Sequence, residues 1–209
     1  MNKPKAIIAD LDGTLCDHRH RLHFVEPSEN ISGISWDWDF FTEPPTQNFF
    51  WRETEKEWQP DYDTFYEAMD KDGINEAIFN LVEMIYDRYY NRGILLEIIC
   101  ITGRPEKYRE MTEKWFQPNF YHYNIFPKLF MRPDYLDCTC KRKEGSINGP
   151  VCCNAEIKPK PDHRPAAEVK REIYLREIKD KYEILFVLED SIECCEMYKA
   201  EGLQVLRVM

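Results

Sequence analysis

The sequence lacks any long apolar run, although 43% of its 209 residues are hydrophobic. No stretch approaches the ~20 consecutive apolar residues that a transmembrane helix needs, and 32% of the residues are charged. The short apolar stretch after Lys3 and Lys5 ends at Asp10, which indicates a buried strand rather than a secretion signal. We therefore expect a cytoplasmic protein that does not bind membranes.

Positive charge is also scarce, because 28 lysine and arginine residues stand against 38 acidic ones and the net charge is −10. This balance disfavours a general nucleic-acid-binding protein, which needs a basic surface. It still allows a local basic pocket around one phosphate. The chain has eight cysteines, and without a secretion signal we expect reduced thiols or metal ligands rather than disulfides.

Short apolar segments alternate with helical patterns, which is typical of an α/β protein with a parallel sheet. The predicted strands are residues 5–9, 95–101, 129–131, 184–188 and 203–208. Helices are predicted over residues 74–89, from Pro105, over about 165–181, and after a cap at Asp190 or Ser191.

Two segments interrupt this alternation. Residues 16–73 are polar and aromatic, and we predict a cap or lid inserted into a core made of residues 1–15 and 74–209. Its aromatic rings, including four of the five tryptophans, could stack a base or form only the small core of the cap. Residues 134–164 are rich in Cys, Lys and Pro, which indicates a surface insertion within the core domain.

Two carboxylates, one residue apart, follow the first predicted strand. Asp10 and Asp12 precede Gly13, which allows a sharp turn that leaves both side chains facing a crevice at the carboxyl end of the strand. Acids this close repel each other, so the pair indicates a bound cation or a reaction. A plain turn or capping pair is the alternative, and the apolar strand before it disfavours that interpretation.

Two other strand ends carry matching chemistry. The run Thr102-Gly103-Arg104-Pro105 offers a hydroxyl, backbone N–H groups and a helix start, which suit phosphate oxygens. Glu189 and Asp190 end a third strand. Taken singly, these are also ordinary turn and capping sequences. Because parallel strands end at one edge of a sheet, the acids could converge on a hard cation, which favours Mg²⁺.

This combination resembles the haloacid dehalogenase-like (HAD) phosphatase superfamily. Asp10-Leu11-Asp12-Gly13-Thr14 matches its first motif, Thr102-Gly103-Arg104 its second, Lys170 its third and Glu189-Asp190 its fourth. The resemblance implies a Rossmann-like three-layer sandwich with a central parallel sheet and a cap inserted after the first strand.

The resemblance narrows to the 3′-phosphatase domain of phage-type polynucleotide kinases and its stand-alone phage relatives. The matching residues are Thr102-Gly103-Arg104-Pro105, Met131-Arg132-Pro133, Arg164-Pro165 with Val169-Lys170, and Glu189-Asp190-Ser191 with Met197; His20-Arg21-Leu22-His23 and Pro60-Asp61-Tyr62-Asp63 with Phe65 resemble the stand-alone relatives. No G-x-x-x-x-G-K-[ST] motif occurs, so the kinase half implied by the family name is missing from this sequence.

The resemblance implies a role for each motif. Asp10 would be the nucleophile that forms an aspartyl-phosphate, and Asp12 the general acid and base. The phosphate would be bound by the following residues: Thr102, Gly103, Arg104 and Lys170. The Mg²⁺ ligands would be Asp10, the backbone carbonyl of Asp12, and Asp190, with Glu189 as second choice.

The resemblance implies a phosphorylated nucleotide or nucleic-acid 3′-end as substrate, and the acidic net charge favours a small nucleotide over long DNA. A 5′-nucleotidase or small-metabolite phosphatase of the same superfamily is the alternative enzyme. A non-catalytic, metal-stabilised binding module is the alternative of another class. No obligate protein partner is evident.

Cysteines and histidines leave two further hypotheses open. Cys138, Cys140, Cys152 and Cys153, with or without His163, could bind a structural Zn²⁺, although their spacing is unusual and reduced surface thiols are the alternative. His18, His20 and His23 could line the cap side of the site, with His20 or His23 touching substrate, or serve only structural roles.

Overall fold

The computed structural model describes residues 3–26, 59–121, 124–135 and 161–209. Its strands are β1 (Lys5–Ala9), β2 (Cys16–Asp17), β3 (Gly73–Ile74), β4 (Leu96–Pro105), β5 (Lys128–Arg132), β6 (Glu183–Glu189) and β7 (Val205–Arg207). Five of them form one parallel sheet in the order β5-β4-β1-β6-β7, and β2 pairs with β3 in an antiparallel ribbon. The parallel sheet confirms the predicted α/β fold class.

Helices connect these strands. They are α1 (Tyr62–Glu67), α2 (Glu76–Tyr90), α3 (Arg109–Asn119), α4 (Ala166–Ile173) and α5 (Ile192–Ala200). Short 3₁₀ turns cover Arg19–Phe24, Ala68–Lys71 and Glu106–Tyr108, and a π-helical turn covers Tyr174–Ile178. No helix in the described ranges has the length and apolarity needed to cross a membrane.

Both faces of the sheet are buried. Alternate residues of a strand point to opposite faces, so each strand contributes side chains to two cores. Ile7 of β1 belongs to a core that includes Val82 of α2 and Phe116 of α3. Ile8 belongs to a second core, which includes Val169 of α4 and Tyr198 of α5. The sheet therefore lies between two layers of helices with one core on each side, as in the predicted three-layer sandwich.

Two element boundaries differ from the sequence prediction. We expected a helix to start at Pro105, but Pro105 is extended (φ −61°, ψ 148°) and ends β4, and α3 begins only at Arg109 after a 3₁₀ turn. The φ that proline fixes suits a strand as well as a helix start, so the sequence could not separate them. The predicted helix over 165–181 is also shorter, since its π-helical turn ends at Ile178.

The cap segment is described only at its two ends. There β2 pairs with β3, with Cys16 opposite Ile74, so the two ends of the segment lie side by side. Four tryptophans of the predicted cap lie outside the described residues: Trp36, Trp38, Trp51 and Trp58. The insertion predicted at 134–164 is also described only at its ends, where Tyr135 bridges Pro161. The division into core, cap and insertion stays a prediction.

Ser191 caps α5 and thereby fixes the helix that follows the Glu189-Asp190 motif. Its hydroxyl oxygen accepts a hydrogen bond from the Cys194 backbone N–H at 3.4 Å. We expect Ser191→Ala to lower the free energy of unfolding by about 1 kcal/mol, because this N–H loses its acceptor. Urea denaturation of Ser191→Ala beside Ser191→Thr, which keeps an acceptor, tests this. Equal losses in the two variants would contradict the capping role.

Candidate active site

The three predicted strand ends meet at the carboxyl edge of the sheet. Asp10 follows the central strand β1, and its backbone N–H donates to the Leu188 carbonyl of β6 at 3.0 Å. Glu189 ends β6 on one side of β1, and Thr102 lies in the last part of β4 on the other side. The parallel order of β4, β1 and β6 therefore brings the candidate nucleophile, hydroxyl and acids to one place.

The first cluster of charged groups contains the Lys170 ammonium and the carboxylates of Asp10, Glu189 and Asp190. The Lys170 ammonium lies 2.7 Å from the Asp10 carboxylate and 2.8 Å from that of Glu189, and all three side chains are buried. Burial lowers the pKa of Lys170, but Asp10 and Glu189 raise it by more, so the net pKa lies above its usual range. Lys170 is therefore a protonated cation inside the site, as its place in the third motif implies.

A glycine lets Asp190 approach this cluster. Gly13 has a positive φ of 81°, and a Cβ at this position would lie 2.3 Å from Oδ2 of Asp190. No side chain fits there without displacing the carboxylate, so the glycine of the first motif makes room as well as a turn. Thr14 donates its hydroxyl to Asp190 at 3.4 Å.

The donor set of this cluster suits a divalent cation. Carboxylate oxygens of Asp10, Glu189 and Asp190 lie within 4.8 Å of one another. Three carboxylates and the single Lys170 ammonium leave an excess of two negative charges. Burial raises the pKa of Asp10, Lys170 opposes that shift, and the Glu189 and Asp190 charges add to it, so the net pKa is raised. A divalent cation would offset this excess, and hard oxygen ligands suit Mg²⁺.

Asp12 belongs to a second, separate cluster. The Arg104 guanidinium contacts its carboxylate at 2.6 and 2.9 Å, and Arg21 also donates to it. Asp72 accepts from both arginines, at 2.7 Å from Arg21 and 2.8 Å from Arg104. Both guanidiniums are fully buried. We call Asp12, Arg21, Asp72 and Arg104 the arginine–aspartate network.

The network holds Asp12 ionised. Burial raises the pKa of Asp12, but Arg104 and Arg21 lower it by more, so the net pKa lies well below its usual range. Asp12, Cys16 and Asp72 also lie close enough to share an ion, but the two guanidiniums already supply the positive charge there. Of these two clusters in the described part of the chain, the one made by Asp10, Glu189 and Asp190 is therefore the better metal site.

The Arg104 guanidinium is fully engaged by protein groups. Each nitrogen of the guanidinium has a hydrogen-bond partner within the protein, and these partners include Asp12, Asp72 and Thr112. The residue is fully buried. A phosphate contact by Arg104 stays a prediction that would require this residue to leave its partners. The observed contacts instead assign it to Asp12.

The loop after Thr102 is held from two sides. The Thr102 hydroxyl oxygen is buried and accepts the Arg104 backbone N–H at 3.2 Å, which leaves its own proton available to donate. The Gly103 carbonyl accepts from Arg132 Nε at 2.9 Å and from the Tyr66 hydroxyl at 3.5 Å. This segment therefore presents a fixed backbone beside the first cluster.

The three histidines of the cap segment differ in their surroundings. His18 is partly buried, its Nδ1 has no hydrogen-bond partner, and its Cε1 lies 3.0 Å from the position of a Cβ on Gly13. His20 Nε2 is 3.2 Å from the Ala68 carbonyl, and His23 packs on Phe24 with ring centroids 4.0 Å apart. His18 therefore lies against the turn at Gly13 that follows β1.

The four cysteines of the zinc hypothesis, Cys138, Cys140, Cys152 and Cys153, lie outside the described residues, and His163 is exposed. The zinc hypothesis therefore stays a prediction. Four other cysteines are buried free thiols: Cys16, Cys100, Cys194 and Cys195. These four agree with the expectation of reduced cysteines.

Arg21 and Asp72 are the two network residues that the sequence analysis did not assign to the site. Arg21 lies in the run His20-Arg21-Leu22-His23, which resembles the stand-alone phage relatives but carries no predicted role for the arginine. Asp72 is one of several acids between two predicted elements, and nothing in its spacing separates it from the exposed Asp70. Their pairing depends on a contact across 51 residues of sequence.

Comparison with known families supports a phosphatase. Residues 134–209 match the family model described as the polynucleotide kinase PNKP phosphatase domain. The match includes Lys170, Glu189 and Asp190 but does not reach Asp10. It confirms the predicted resemblance to HAD-type polynucleotide kinase phosphatases and implies phosphatase activity. No curated protein sequence matches the chain significantly.

Two solved structures share the fold. One is titled "Structure of Pnkp1/Rnl/Hen1 complex", with a TM-score of 0.55 and 22% identity over 99% of this chain and 46% of that one. The other is titled "Structure of the Pnkp1/Rnl/Hen1 RNA repair complex", with a TM-score of 0.53 and 22% identity over 99% of this chain and 42% of that one. This chain thus spans less than half the length of either, and at such identity the likeness shows the fold alone.

The arginine–aspartate network predicts a large cost for removing one of its charges. In Asp72→Asn, two buried guanidiniums would share the single carboxylate of Asp12, so we expect a loss of about 3–5 kcal/mol in the free energy of unfolding. Asp70→Asn, in the same 3₁₀ turn but exposed, should change it by less than about 0.5 kcal/mol. Urea denaturation measures both, and similar values for the two variants would contradict a buried charge network.

The lowered pKa of Asp12 predicts a pH-dependent stability. Because the folded-state pKa lies below the unfolded value of about 3.9, ionised Asp12 contributes its full stability above that pH and loses it as the pH falls. The difference in unfolding free energy between wild type and Asp12→Asn should therefore favour wild type more near neutral pH than at about pH 3. Chemical denaturation at both pH values measures it. A difference independent of pH would show that Asp12 is not held ionised.

Proposed function

We propose that this chain is a Mg²⁺-dependent phosphomonoesterase that removes a 3′-phosphate from a nucleotide or polynucleotide through an aspartyl-phosphate on Asp10. The observation that carries the proposal is the cluster at the end of β1, where Asp10 contacts Lys170 beside Glu189 and Asp190. A buried carboxylate next to an ammonium and a cation site is equipped to receive a phosphoryl group.

In the first step, a carboxylate oxygen of Asp10 bonds to phosphorus as the bond between phosphorus and the ester oxygen breaks. The leaving oxygen takes a proton from Asp12. In the second step, water bonds to the phosphorus of the aspartyl-phosphate as the bond between phosphorus and the Asp10 oxygen breaks. The water gives a proton back to Asp12, inorganic phosphate leaves, and the Asp10 carboxylate is restored. The network holds Asp12 in place for both transfers. Because Asp12 is ionised in the free protein, the proton for the first step has to arrive with the substrate, and a phosphate monoester that binds as its monoanion carries one.

Thr102, the Gly103 backbone N–H and Lys170 are the proposed phosphate-binding groups. Lys170 supplies positive charge to the equatorial oxygens, and Thr102 has a hydroxyl proton to donate. Arg104 contributes indirectly in this account, because it holds Asp12 rather than the phosphate. We therefore propose that Arg104 positions the general acid and base, and its contact with the phosphate stays a prediction.

Asp10, Asp190 and the Asp12 backbone carbonyl are the proposed Mg²⁺ ligands. Glu189 is the weaker choice, because its carboxylate is buried and already accepts from Lys170 at 2.8 Å and from the Ser191 N–H at 3.3 Å. When bound, the ion would shield the repulsion between Asp10 and the phosphate and polarise the phosphoryl oxygens.

Support for a 3′-phosphorylated nucleic-acid end comes from the comparisons. The matching family is described as the phosphatase domain of polynucleotide kinases, and one similar structure is titled as an RNA repair complex. A place in nucleic-acid repair follows as part of the proposal. Those structures are complexes of several proteins by their titles, so the expectation that no protein partner is needed stays a prediction.

Removal of the nucleophile should abolish the reaction. We expect Asp10→Asn to reduce phosphate release from a 3′-phosphorylated oligonucleotide by at least roughly 10³-fold, because an amide cannot form the intermediate. Asp180→Asn, an exposed acid before β6, serves as the matched control and should retain activity. Equal phosphate release by wild type and Asp10→Asn would contradict the mechanism.

Metal and substrate preference form a separate test. Chelation with EDTA should abolish phosphate release, and added Mg²⁺ should restore it. Among substrates of the same base sequence, we expect a higher kcat/KM for the 3′-phosphorylated oligonucleotide than for its 5′-phosphorylated isomer. A preference for the 5′-phosphate would replace the proposal with the 5′-nucleotidase alternative.

A further inference from the structure

A row of three tyrosines leads from the protein surface to the candidate phosphate loop. Tyr62 and Tyr66 of α1 stack with ring centroids 6.4 Å apart and planes 26° apart. Tyr66 in turn packs on Tyr108, with centroids 5.2 Å apart. Tyr62 is 55% exposed, although the ring is large and apolar. We call Tyr62, Tyr66 and Tyr108 the tyrosine row.

The inner part of the row touches the site. The Tyr66 hydroxyl donates to the Gly103 carbonyl at 3.5 Å, one residue from the candidate phosphate ligand Thr102. Burial raises the pKa of Tyr66 to about 12, and the nearby charge of Asp12 adds to that shift, so the hydroxyl remains a donor. The row therefore begins beside the loop at which we propose that the phosphate binds.

Contacts with the core fix the row in place. Asp63 of α1 accepts from Lys107 Nζ at 2.6 Å and from the Tyr108 hydroxyl at 3.0 Å. On the other side of the helix, Phe65 packs its ring against the Arg21 guanidinium, 4.1 Å from the centroid. A flat surface that is already ordered loses little entropy when a ligand binds it.

We propose that the tyrosine row is a stacking subsite for the base of the nucleotide that carries the scissile phosphate. The inference rests on the proposed function, because it assumes a phosphate bound at the Thr102 loop. Every base has a flat π-face, and stacking on a tyrosine needs no positive surface, which agrees with the net charge of −10. The subsite would separate nucleotides from phosphorylated sugars that lack a base.

Binding measurements test the subsite without depending on turnover. In the Asp10→Asn background, a dinucleotide 3′-phosphate should bind roughly tenfold more tightly than the same compound with an abasic 3′-terminal residue. Adding Tyr62→Ala should reduce this ratio towards one, and Tyr62→Phe should preserve it. Tyr90→Ala removes another exposed tyrosine, 72% exposed at the end of α2, and serves as the matched control, for which we expect an unchanged ratio. Circular dichroism checks that each variant is folded.

The outcomes separate this inference from the proposed function. A ratio near one in the parent protein, or a ratio that Tyr62→Ala does not change, overturns the stacking subsite whether or not wild type is a phosphatase. A ratio that falls with Tyr62→Ala supports the subsite, even if wild type releases no phosphate and the proposed function fails. In an active wild type, the ratio of kcat/KM for the same two compounds should change with Tyr62→Ala in the same direction.

Discussion

Negative charge buried at one edge of the sheet is the constraint on which the rest of this structure depends. Four carboxylates lie at the ends of β1 and β6 or in the turn after β1, and burial without compensation would be prohibitively costly. The protein compensates them in two separate ways. Lys170 partly neutralises the acids around Asp10 and leaves an excess that suits a divalent cation, whereas two arginines balance the charges of Asp12 and Asp72.

This division of charge gives two similar side chains different chemistry. Asp10 contacts the Lys170 ammonium and has carboxylate neighbours, a set of groups that suits the cation and the phosphate of the proposed reaction. Asp12 is held by Arg104 of β4 and by Arg21, which lies near the start of the segment predicted to form a cap. The position of the proposed general acid and base therefore depends on how the ends of the cap segment pack on the core.

Periodic patterns made the sheet and the convergence of Asp10, Glu189 and Asp190 predictable, because parallel strands must end at one edge. Lys170 lies on α4, and only the resemblance to the HAD superfamily pointed to it. The side-chain partners were not predictable in the same way. Whether Arg104 turns to the phosphate site or to Asp12 depends on Asp72 and Arg21, which no spacing connects to it. The start of α3 was misplaced because the φ of a proline fits either element. Roles that depend on long-range charge pairing thus need the folded structure.

Formation of a phosphoryl-aspartate on Asp10 is the central claim, and direct trapping tests it most simply. The Asp12→Asn variant would be mixed with para-nitrophenyl phosphate and Mg²⁺, since this leaving group departs without a proton and the slowed second step lets the intermediate accumulate. After an acid quench, peptide mass spectrometry locates the added group. The account predicts one phosphoryl group on Asp10. Release of para-nitrophenol with no phosphoryl group on Asp10, or with the group on another residue, would contradict it.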